Sequence, residues 1–341
     1  MDKKKLQILI PVLAALLLIG VILLRQNESS KGNILSQRSG SVSYPITVES
    51  CGELVTFDSV PERTMAFDTN MMEMMLALEL EDRMVGYWTS GVEVGDQYKE
   101  QAEKVPFVEG EPWPPPGMET ILSYNLDFVF GAWEYNFSDE TGVNPEKLAD
   151  AGVKSYVLTE SCIAQGVEPS TTIGSTYTDI LNLGTIFNKR DKAQELVDEM
   201  KQNIQETQNK IGQIEIPLKG FYYGGGSDAA FSAGKYAMVS KMMLAVGAEN
   251  ILSDVEDDWI PEAGWETIIE RDPKFIMIDD TPWESAEDRI ATLESLPQLA
   301  DITAIKEKKY IVFPWTYILP GMEMDDGVMY LAKNLYPEKF E

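Results

Sequence analysis

The sequence predicts an α/β protein made of two similar lobes, and an internal repeat is the main observation behind this prediction. Residues 117–122 and 127–130 recur as residues 264–269 and 274–277, with identical Gly, Glu, Thr, Ile and Phe at equivalent places and a constant offset of 147 positions. Each copy predicts a short amphipathic helix, a turn and a buried parallel strand. A repeat of this length indicates a duplicated lobe rather than a solenoid.

An alternation of strand and helix signals is the second observation. Residues 44–49 and 53–58 alternate around a Ser-Cys-Gly turn and predict a small β-hairpin. A strand at residues 64–67 then precedes a helix from about residue 71, for which Asn70 is the expected cap. The alternation continues along the chain and predicts doubly wound, Rossmann-like lobes with mainly parallel sheets.

A long helical stretch between the two halves is the third observation. Residues 176–212 carry apolar side chains at helical spacing, and Asp191 is the expected cap of a second helical segment that ends before Gly212. A helix of about 20 residues reaches about 30 Å, which is enough to join two lobes. We therefore expect an N-terminal lobe at residues 44–175, a linking helical segment at 176–212 and a C-terminal lobe at 213–341, with a ligand cleft between the lobes.

The composition excludes several classes of function. The 341 residues include 56 acidic and 28 basic side chains, a net charge of −28, and no histidine. Nucleic-acid binding needs clustered Lys and Arg, so this balance argues against it. The absence of histidine excludes Ser-His-Asp triads and HExxH zinc sites.

The N-terminus has the features of a targeting segment. Lys3, Lys4 and Lys5 precede an apolar run from Ile8 to Leu24, and no Ala-x-Ala cleavage site or lipid-accepting cysteine follows it. We expect residues 1–25 to act as an uncleaved membrane anchor, with a cleaved signal as the alternative, and residues 26–43 to form a flexible tether. The positive-inside rule places the rest of the chain outside the cytoplasm.

The two cysteines, Cys51 and Cys162, both fall in the exported part. Oxidising surroundings favour a disulfide between them, and two buried free thiols remain the alternative.

The chain resembles the extracytoplasmic solute-binding proteins of ABC importers for iron-siderophores and corrinoids, the Fe/B12 periplasmic-binding family. The resemblance runs from about Tyr44 to the C-terminus, and the order of the matching blocks is more specific than any one of them. The blocks are residues 61–67, 76–86, 127–130, 148–153, 179–184 and 245–252. The cysteine pair is similar to a feature of one extracellular branch of that family.

The resemblance implies that the protein captures an iron-siderophore or a related metal chelate and delivers it to an ABC permease dimer with its ATPase. The protein would then be a monomer and not an enzyme, and it would need no cofactor of its own. Glu119 and Glu266, the glutamates of the repeat, match the family positions that engage permease arginines. From the residues alone, each could instead favour the N-terminus of its own helix.

Aromatic side chains follow many of the predicted strands. Ligands of open α/β sheets bind beyond the carboxyl ends of the strands, where Trp and Tyr suit a large amphipathic chelate. The candidate cleft residues are Trp88, Trp113, Trp133, Tyr135, Phe137, Tyr223, Phe231, Lys235, Tyr236, Trp259, Trp283 and Trp315.

The positions of the basic residues bear on the charge of the ligand. Five arginines follow the tether, and all of them fall at strand starts, turns or helices, which leaves Lys235 as the expected cation of the cleft. Anionic siderophores need such donors, so a neutral or cationic ligand is favoured, such as a ferric hydroxamate or a corrinoid. Haem is disfavoured by the absence of histidine. The methionine-rich stretch 71–75 is expected to be adaptable core rather than a soft-metal site.

Two other classes of protein compete with this interpretation. An enzyme could use the turn at residues 224–227 or the carboxylates Asp279 and Asp280, but the turn lacks the lysine and the spacing of nucleotide-binding loops. A membrane-anchored sensor or adhesin would keep the two lobes without docking on a permease.

Overall fold

The computed structural model describes residues 43–108, 115–137, 141–169 and 171–341, and residues from Tyr44 to Glu341 form one compact unit. The predicted anchor and the tether up to residue 42 lie outside the described residues, as does Trp113. None of the helices within the described ranges combines the length and apolar character that a membrane span requires.

The N-terminal lobe contains a four-stranded parallel sheet in the order β4-β3-β5-β6 and a separate antiparallel hairpin β1-β2. Its elements are β1 (Ile46–Ser50), β2 (Glu53–Phe57), β3 (Thr64–Phe67), α1 (Thr69–Ala77), β4 (Met84–Trp88), α2 (Lys99–Ala102), α3 (Met118–Ser123), β5 (Phe128–Gly131), α4 (Trp133–Asn136), α5 (Pro145–Asp150) and β6 (Lys154–Val157).

Two helices follow, and then a second four-stranded parallel sheet in the order β12-β11-β7-β9 with a small antiparallel pair β10-β8. The elements are α6 (Ile173–Ile186), α7 (Arg190–Ile211), β7 (Leu218–Tyr223), β8 (Ala230–Ala233), α8 (Met238–Ala245), β9 (Ala248–Asn250), β10 (Trp259–Ala263), α9 (Trp265–Arg271), β11 (Phe275–Asp280), α10 (Ala286–Ser295), α11 (Thr303–Lys306), β12 (Tyr310–Pro314) and α12 (Met324–Leu335).

The two parallel sheets have the same topology, which confirms the predicted fold class. In each sheet the first strand in chain order lies between the second and the third, and the fourth forms the far edge. The strand of the sequence repeat is the third strand in both lobes, β5 and β11. The order reverses beside the first strand of each lobe, and such reversals open the crevices in which open α/β sheets bind ligands.

Two predicted helix caps are wrong. Asp68, not Asn70, precedes α1 and accepts a hydrogen bond from the backbone N–H of Thr69 at 3.0 Å. Asn70 is instead inside the helix, and its side-chain amide donates to the carbonyl of Pro320 at 2.7 Å, across to the C-terminal part of the chain. Lys189 occupies the cap position of α7, and Asp191 lies in its first turn. A contact with a distant part of the chain therefore determines the position of Asn70, which local capping propensity did not predict.

Helix α1 is buried along its whole length. Met71, Met72, Met74 and Met75 are all fully buried, as expected for core side chains. A thioether is flexible and polarisable, so it fills irregular gaps between layers without needing a partner.

The predicted disulfide is present. Cys51, in the turn of the β1-β2 hairpin, is bonded to Cys162 across 111 positions of chain. Cys162 belongs to the 3-10 segment Thr159–Gln165 that follows β6, and no free cysteine remains, which excludes the alternative of two thiols. The disulfide therefore fixes the hairpin to the segment that enters the cleft.

Candidate ligand cleft

The two lobes enclose a cleft at the carboxyl ends of their parallel strands. Two neighbouring cavities of about 480 and about 450 Å³ are each lined by residues of both lobes. The two cavities share Tyr135, Phe231 and Trp315 as lining residues, so they are adjacent, and we call them together the cleft. Its volume suits a chelate larger than a single metal ion.

A larger hollow of about 880 Å³ lies elsewhere, on the N-terminal lobe between the hairpin and β6. None of the described residues that line it is aromatic, and all of them come from one lobe. Because this hollow lacks the convergent polar and aromatic groups typical of a ligand site, we assign the site to the cleft.

The N-terminal wall of the cleft is formed by the turn after β5. Trp133 opens helix α4 with a φ of 50°, a left-handed conformation that is uncommon for a bulky residue. Its ring stacks on that of Tyr135 with centroids 5.8 Å apart and 14° between the planes. The indole N–H of Trp133 donates to Glu160 at 3.3 Å, which holds this strained turn in place.

The C-terminal wall of the cleft is a row of stacked aromatic rings. Phe231 and Trp259 lie 5.7 Å apart at 11°, Trp259 and Trp315 lie 6.2 Å apart, and Trp315 meets Trp283 edge-on at 5.8 Å. The indole N–H of Trp315 is buried and has no acceptor among the described residues. The row offers apolar faces and one free donor, the combination expected for an amphipathic ligand.

Arg289 is a cation of the cleft that the sequence analysis missed. It lies on α10, as expected for an arginine outside the strand ends, but its side chain reaches the carboxyl end of β11 and lines the cleft. Its guanidinium lies 2.5 Å from a carboxylate oxygen of Asp279 and 3.2 Å from one of Glu284. Both acids satisfy the charge of Arg289, so it is not an open anion site.

Lys235, the cation expected in the cleft, lies elsewhere. Its ammonium group is 3.0 Å from Glu256 and 3.9 Å from Glu168, and it lines neither cavity. Its position before α8 places it at the rim between the lobes, where acids of both lobes surround it. Lys235 therefore lines neither cavity, and its contribution of a positive charge to ligand binding stays a prediction.

Carboxyl groups dominate the electrostatics of the cleft. Its lining includes Glu134, Asp257, Asp258 and Asp279. Burial, with a smaller contribution from the neighbouring Asp257, raises the pKa of Asp258 to about 7. Acidic groups of this kind attract cations and repel anionic chelates.

A buried pair joins the first strand of the N-terminal lobe to the cleft wall. The phenol of Tyr135 donates a short hydrogen bond to the carboxylate of Asp68, the residue that follows β3. Burial raises the pKa of Asp68, although the hydrogen bond from Tyr135 opposes this effect. Burial, followed by the charge of Asp68, raises the pKa of Tyr135 well above its ordinary value. Tyr135 therefore faces the cleft as a neutral phenol.

Hydrogen bonds cross between the lobes beside the cleft. Glu160 of the N-terminal lobe is fully buried and accepts a short hydrogen bond from the backbone N–H of Met238, the first residue of α8. The phenol of Tyr236 donates to Glu168 at 2.7 Å. Burial raises the pKa of Glu160 well above its ordinary value, and the nearby Asp258 adds to this effect.

Several predicted cleft residues line neither cavity. Trp88 is buried behind Tyr135, with ring centroids 6.4 Å apart, and supports the wall. Phe137 is fully buried against Phe67 at 6.1 Å, and Tyr223 packs on Trp265 in the core of the C-terminal lobe. Tyr236 is one of the groups that bridge the lobes. The predicted residues that do line the cleft are Trp133, Tyr135, Phe231, Trp259, Trp283 and Trp315.

Tyr222 lines the cleft where Tyr223 was expected. Its phenol donates to Asp279 at 2.7 Å, and its ring lies 5.7 Å from Trp259. Successive residues of a strand face opposite sides of the sheet, so only one of the two tyrosines can reach the cleft. Both are fully buried, and the hydropathy of β7 therefore gave no signal to choose between them.

Glu119 and Glu266 occupy equivalent places in the two lobes. Each lies in the first turn of its repeat helix, α3 or α9, and each is exposed. Gly117 and Gly264, which have no side chain, occupy the cap positions, so the glutamates lie inside the helices rather than at the caps. Both carboxylates are therefore available to a partner.

The chain is similar to known binding proteins in sequence. A family model described as periplasmic binding protein matches residues 158–316. An uncharacterised ABC transporter substrate-binding lipoprotein, YvrC of Bacillus subtilis, is 25% identical over 332 residues, which cover 96% of this chain and 97% of that protein. A vitamin B12-binding protein of Pectobacterium carotovorum subsp. carotovorum is 23% identical over 71% of this chain and 79% of its own length.

Solved structures have the same fold. A periplasmic binding protein from Veillonella parvula is 25% identical with a TM-score of 0.72, over 88% of this chain and 99% of that one. A structure described as an ABC-type Fe3+-hydroxamate transport system from Saccharomonospora viridis also has a TM-score of 0.72, at 21% identity, over 86% of this chain and 99% of that one. With the domain match and the two-lobed architecture, these likenesses agree with the resemblance found in the sequence: residues 158–316 match the periplasmic binding protein model, and the chain has the two-lobed fold of such proteins.

Proposed function

We propose that this protein is the extracytoplasmic substrate-binding component of an ABC importer that captures a ferric siderophore or a related chelate such as a corrinoid. The observation that supports the proposal most strongly is the aromatic cleft between two duplicated lobes. The relative YvrC is described as an ABC transporter substrate-binding lipoprotein, and another relative as a vitamin B12-binding protein. No bond is broken in this function; the lobes hold the ligand and release it to the permease.

The charge of the cleft supports a neutral or cationic ligand. Arg289 is held by Asp279 and Glu284, whereas Glu134 and Asp257 add acidic groups to the opening. An anionic ferric catecholate would meet these carboxylates without a free arginine to offset them. A ferric hydroxamate or a corrinoid offers apolar surface to the stacked rings and oxygen atoms to the indole N–H of Trp315.

The state of Tyr135 argues against haem as the ligand. Iron ligation by tyrosine requires a phenolate. The hydroxyl of Tyr135 keeps its proton and donates a hydrogen bond to Asp68, and burial together with that carboxylate raises the pKa of Tyr135 well above the ordinary value. Ionising Tyr135 would place two negative charges side by side in a buried site, which is strongly unfavourable.

Delivery uses the two exposed glutamates of the repeat. Glu119 and Glu266 offer equivalent carboxylates on duplicated lobes, which suits a permease dimer with two equivalent basic sites.

We propose that the apolar run Ile8 to Leu24 holds the protein at the outer face of the membrane. Cys51 and Cys162 are joined in the disulfide, so neither is free to carry a lipid.

Intrinsic tryptophan fluorescence tests the ligand proposal. The chain from residue 41 onward is titrated with a cationic ferric trihydroxamate, a neutral ferric trihydroxamate, an anionic ferric tricatecholate, cyanocobalamin and haem. We expect saturable quenching at submicromolar concentration by a neutral or cationic chelate or by cyanocobalamin. Tight binding of the tricatecholate would contradict the charge argument, and tight binding of haem would contradict the argument from Tyr135. If a folded sample binds none of the five compounds, the proposed ligand classes are wrong.

The variant Trp315→Phe sharpens this test. It keeps an aromatic ring in the row but removes the indole N–H, and we expect the affinity for the quenching ligand to fall about fivefold, as for one lost hydrogen bond. Tyr317→Phe, in the same segment but outside the cleft lining, is the matched control and should bind as the wild type does.

A further inference from the structure

The two repeat helices share a second exposed feature beside their glutamates. Leu122 in α3 is 41% exposed and Ile269 in α9 is 38% exposed. These two positions are equivalent in the repeat, because Leu122 and Ile269 are separated by 147 positions, as Glu119 and Glu266 are. Each apolar residue follows its glutamate by three positions, so the two side chains lie one turn apart on the same helix face.

One isoleucine of each repeat helix faces the core. Ile121 and Ile268, the neighbours of the exposed pair, are buried at 0% and 1% exposure and attach the helices to their lobes. Helix α3 or α9 therefore presents a glutamate and an aliphatic side chain outward while one isoleucine faces the core. The same arrangement occurs twice although the exposed aliphatic residue differs, leucine in one lobe and isoleucine in the other.

Single exposed apolar residues are ordinary on protein surfaces and need no explanation by themselves. The large hydrophobic residues exposed among the described residues are Leu54, Phe107, Leu122, Val167, Ile216, Leu244, Ile269 and Trp283. Leu122 and Ile269 differ from the others in lying beside the two glutamates at equivalent points of a duplicated structure. Exposure at both points is therefore best explained by one partner that meets both lobes in the same way.

We propose that the docking surface in each lobe is a pair of side chains, Glu119 with Leu122 and Glu266 with Ile269, and that its partner is the permease dimer. Each permease subunit would present a basic side chain to the glutamate and an apolar side chain beside it. The apolar contact excludes water from the ion pair, and water exclusion strengthens such contacts at interfaces. This inference rests on the proposed function, because it names further residues for the same docking step.

Photocrosslinking in the source cells tests the contact with the full chain in its membrane. A photoreactive phenylalanine analogue is placed at Leu122 or Ile269, and as matched controls at Ile216 and Leu244, which are 81% and 71% exposed but lie outside the repeat helices. We expect both repeat positions to crosslink to the same ABC permease polypeptide and neither control to do so. Equal crosslinking from the controls, or none from Leu122 and Ile269, would overturn the proposal.

Binding to membrane vesicles of the same cells gives the magnitude and separates the two hypotheses. We expect Leu122→Ser and Ile269→Ser each to weaken binding of the labelled chain about fivefold, from the apolar area that each contact buries. Ile216→Ser and Leu244→Ser should leave binding unchanged, and thermal melting verifies that all variants are folded. If Glu119→Gln and Glu266→Gln weaken binding while the serine variants do not, the apolar contact is wrong and the importer function stands. If none of the variants weakens binding, docking through the repeat helices fails altogether.

Discussion

Glu73 shows how far burial alters a single side chain in this protein. It lies in α1 at the junction of the lobes, is 1% exposed, and accepts a hydrogen bond from the backbone N–H of Gly95 at 2.7 Å. Burial, with a smaller contribution from the nearby Glu323, raises the pKa of Glu73 to about 8. Glu73 is therefore protonated at neutral pH.

The substitution Glu73→Gln tests this state. A carboxyl whose pKa is raised in the folded protein stabilises the fold below its unfolded value, and this contribution is lost as the pH rises through the folded value. Wild-type stability should therefore fall between about pH 4.5 and about pH 8 because of this group. Glutamine mimics the protonated acid, so the variant should match the wild type at pH 5 and exceed it by about 2–4 kcal/mol at pH 8 in urea unfolding.

Exposed Glu100 supplies the control for this experiment. The variant Glu100→Gln should follow the wild-type stability profile across the same pH range. If Glu73→Gln instead destabilises the protein equally at both pH values, Glu73 is not protonated in the folded state and the assignment is wrong.

At the scale of the elements, the contact between α6 and α7 depends on a glycine. A Cβ atom at Gly184 would lie 2.3 Å from the Cβ of Ala193 and 3.2 Å from the carbonyl oxygen of Lys189. The two helices approach this closely because position 184 has no side chain. Gly184 therefore allows the close packing of α6 against α7.

The variant Gly184→Ala sets two effects against each other. Alanine gains about 1 kcal/mol of helix propensity over glycine, whereas an extra methyl in a well-packed contact costs about 1–3 kcal/mol. The clash with Ala193 should prevail because neither partner is the far end of a flexible chain, and we expect a net loss of about 1–2 kcal/mol in urea unfolding. Gly174→Ala in the first turn of the same helix meets only a side-chain oxygen of Thr172 at 3.2 Å, so it should be neutral or stabilising by up to about 1 kcal/mol. Equal effects of the two substitutions would refute the packing argument.

The order of the elements could be predicted from the sequence because it depends on local patterns. The repeat, the β1-β2 hairpin and the strands β5 and β11 all carry their apolar periodicity within a few residues. Contacts that depend on distant parts of the chain could not be predicted in the same way. Asn70 is held by Pro320, 250 positions away, and no local signal distinguishes it from a helix cap.

The candidate site was predicted less completely than the fold for the same reason. Its aromatic residues follow strands, and the rule for open α/β sheets located most of them. Which face a residue takes was not predictable where both faces are buried, as for Tyr222 and Tyr223. The reach of the long Arg289 side chain from α10 to β11 also depends on the packing of those two elements.

At the scale of the whole molecule, several buried acids share the behaviour of Glu73. Burial raises the pKa of Asp179 to about 7, that of Asp258 to about 7 and that of Asp325 to about 6. Asp179 lies in α6, Asp258 in the cleft lining of the C-terminal lobe, and Asp325 in α12. The effect is therefore spread over the whole compact unit.

We expect the protein to be more stable at pH 5 than at pH 8. The folded state holds protons on these acids that the unfolded state has already released above about pH 4, so the stability must fall as the pH rises through about 6 to 8. The net charge of −28 acts in the same direction, because acidification reduces self-repulsion. Thermal melting should show a Tm higher at pH 5 by at least about 5 °C.

High salt separates the two contributions. Repulsion between surface charges is screened at 0.5 M salt, where the Debye length is only about 4 Å, whereas titration of buried acids persists. A Tm difference that survives high salt assigns the effect to the buried carboxyls. A Tm that is equal or higher at pH 8 under both conditions would contradict the prediction.

The carboxyl of Glu160 has a consequence for how tightly the cleft holds its occupant. One of its oxygens accepts from Trp133 in the cleft wall, and the other accepts from the first residue of α8 in the opposite lobe. A ligand that improves the placement of Trp133 thus also strengthens the attachment between the lobes, and the two equilibria share one coupling free energy. Such coupling is reciprocal, so a permease that pulls the lobes apart must lower the affinity for the ligand by the same factor by which the ligand opposes their separation.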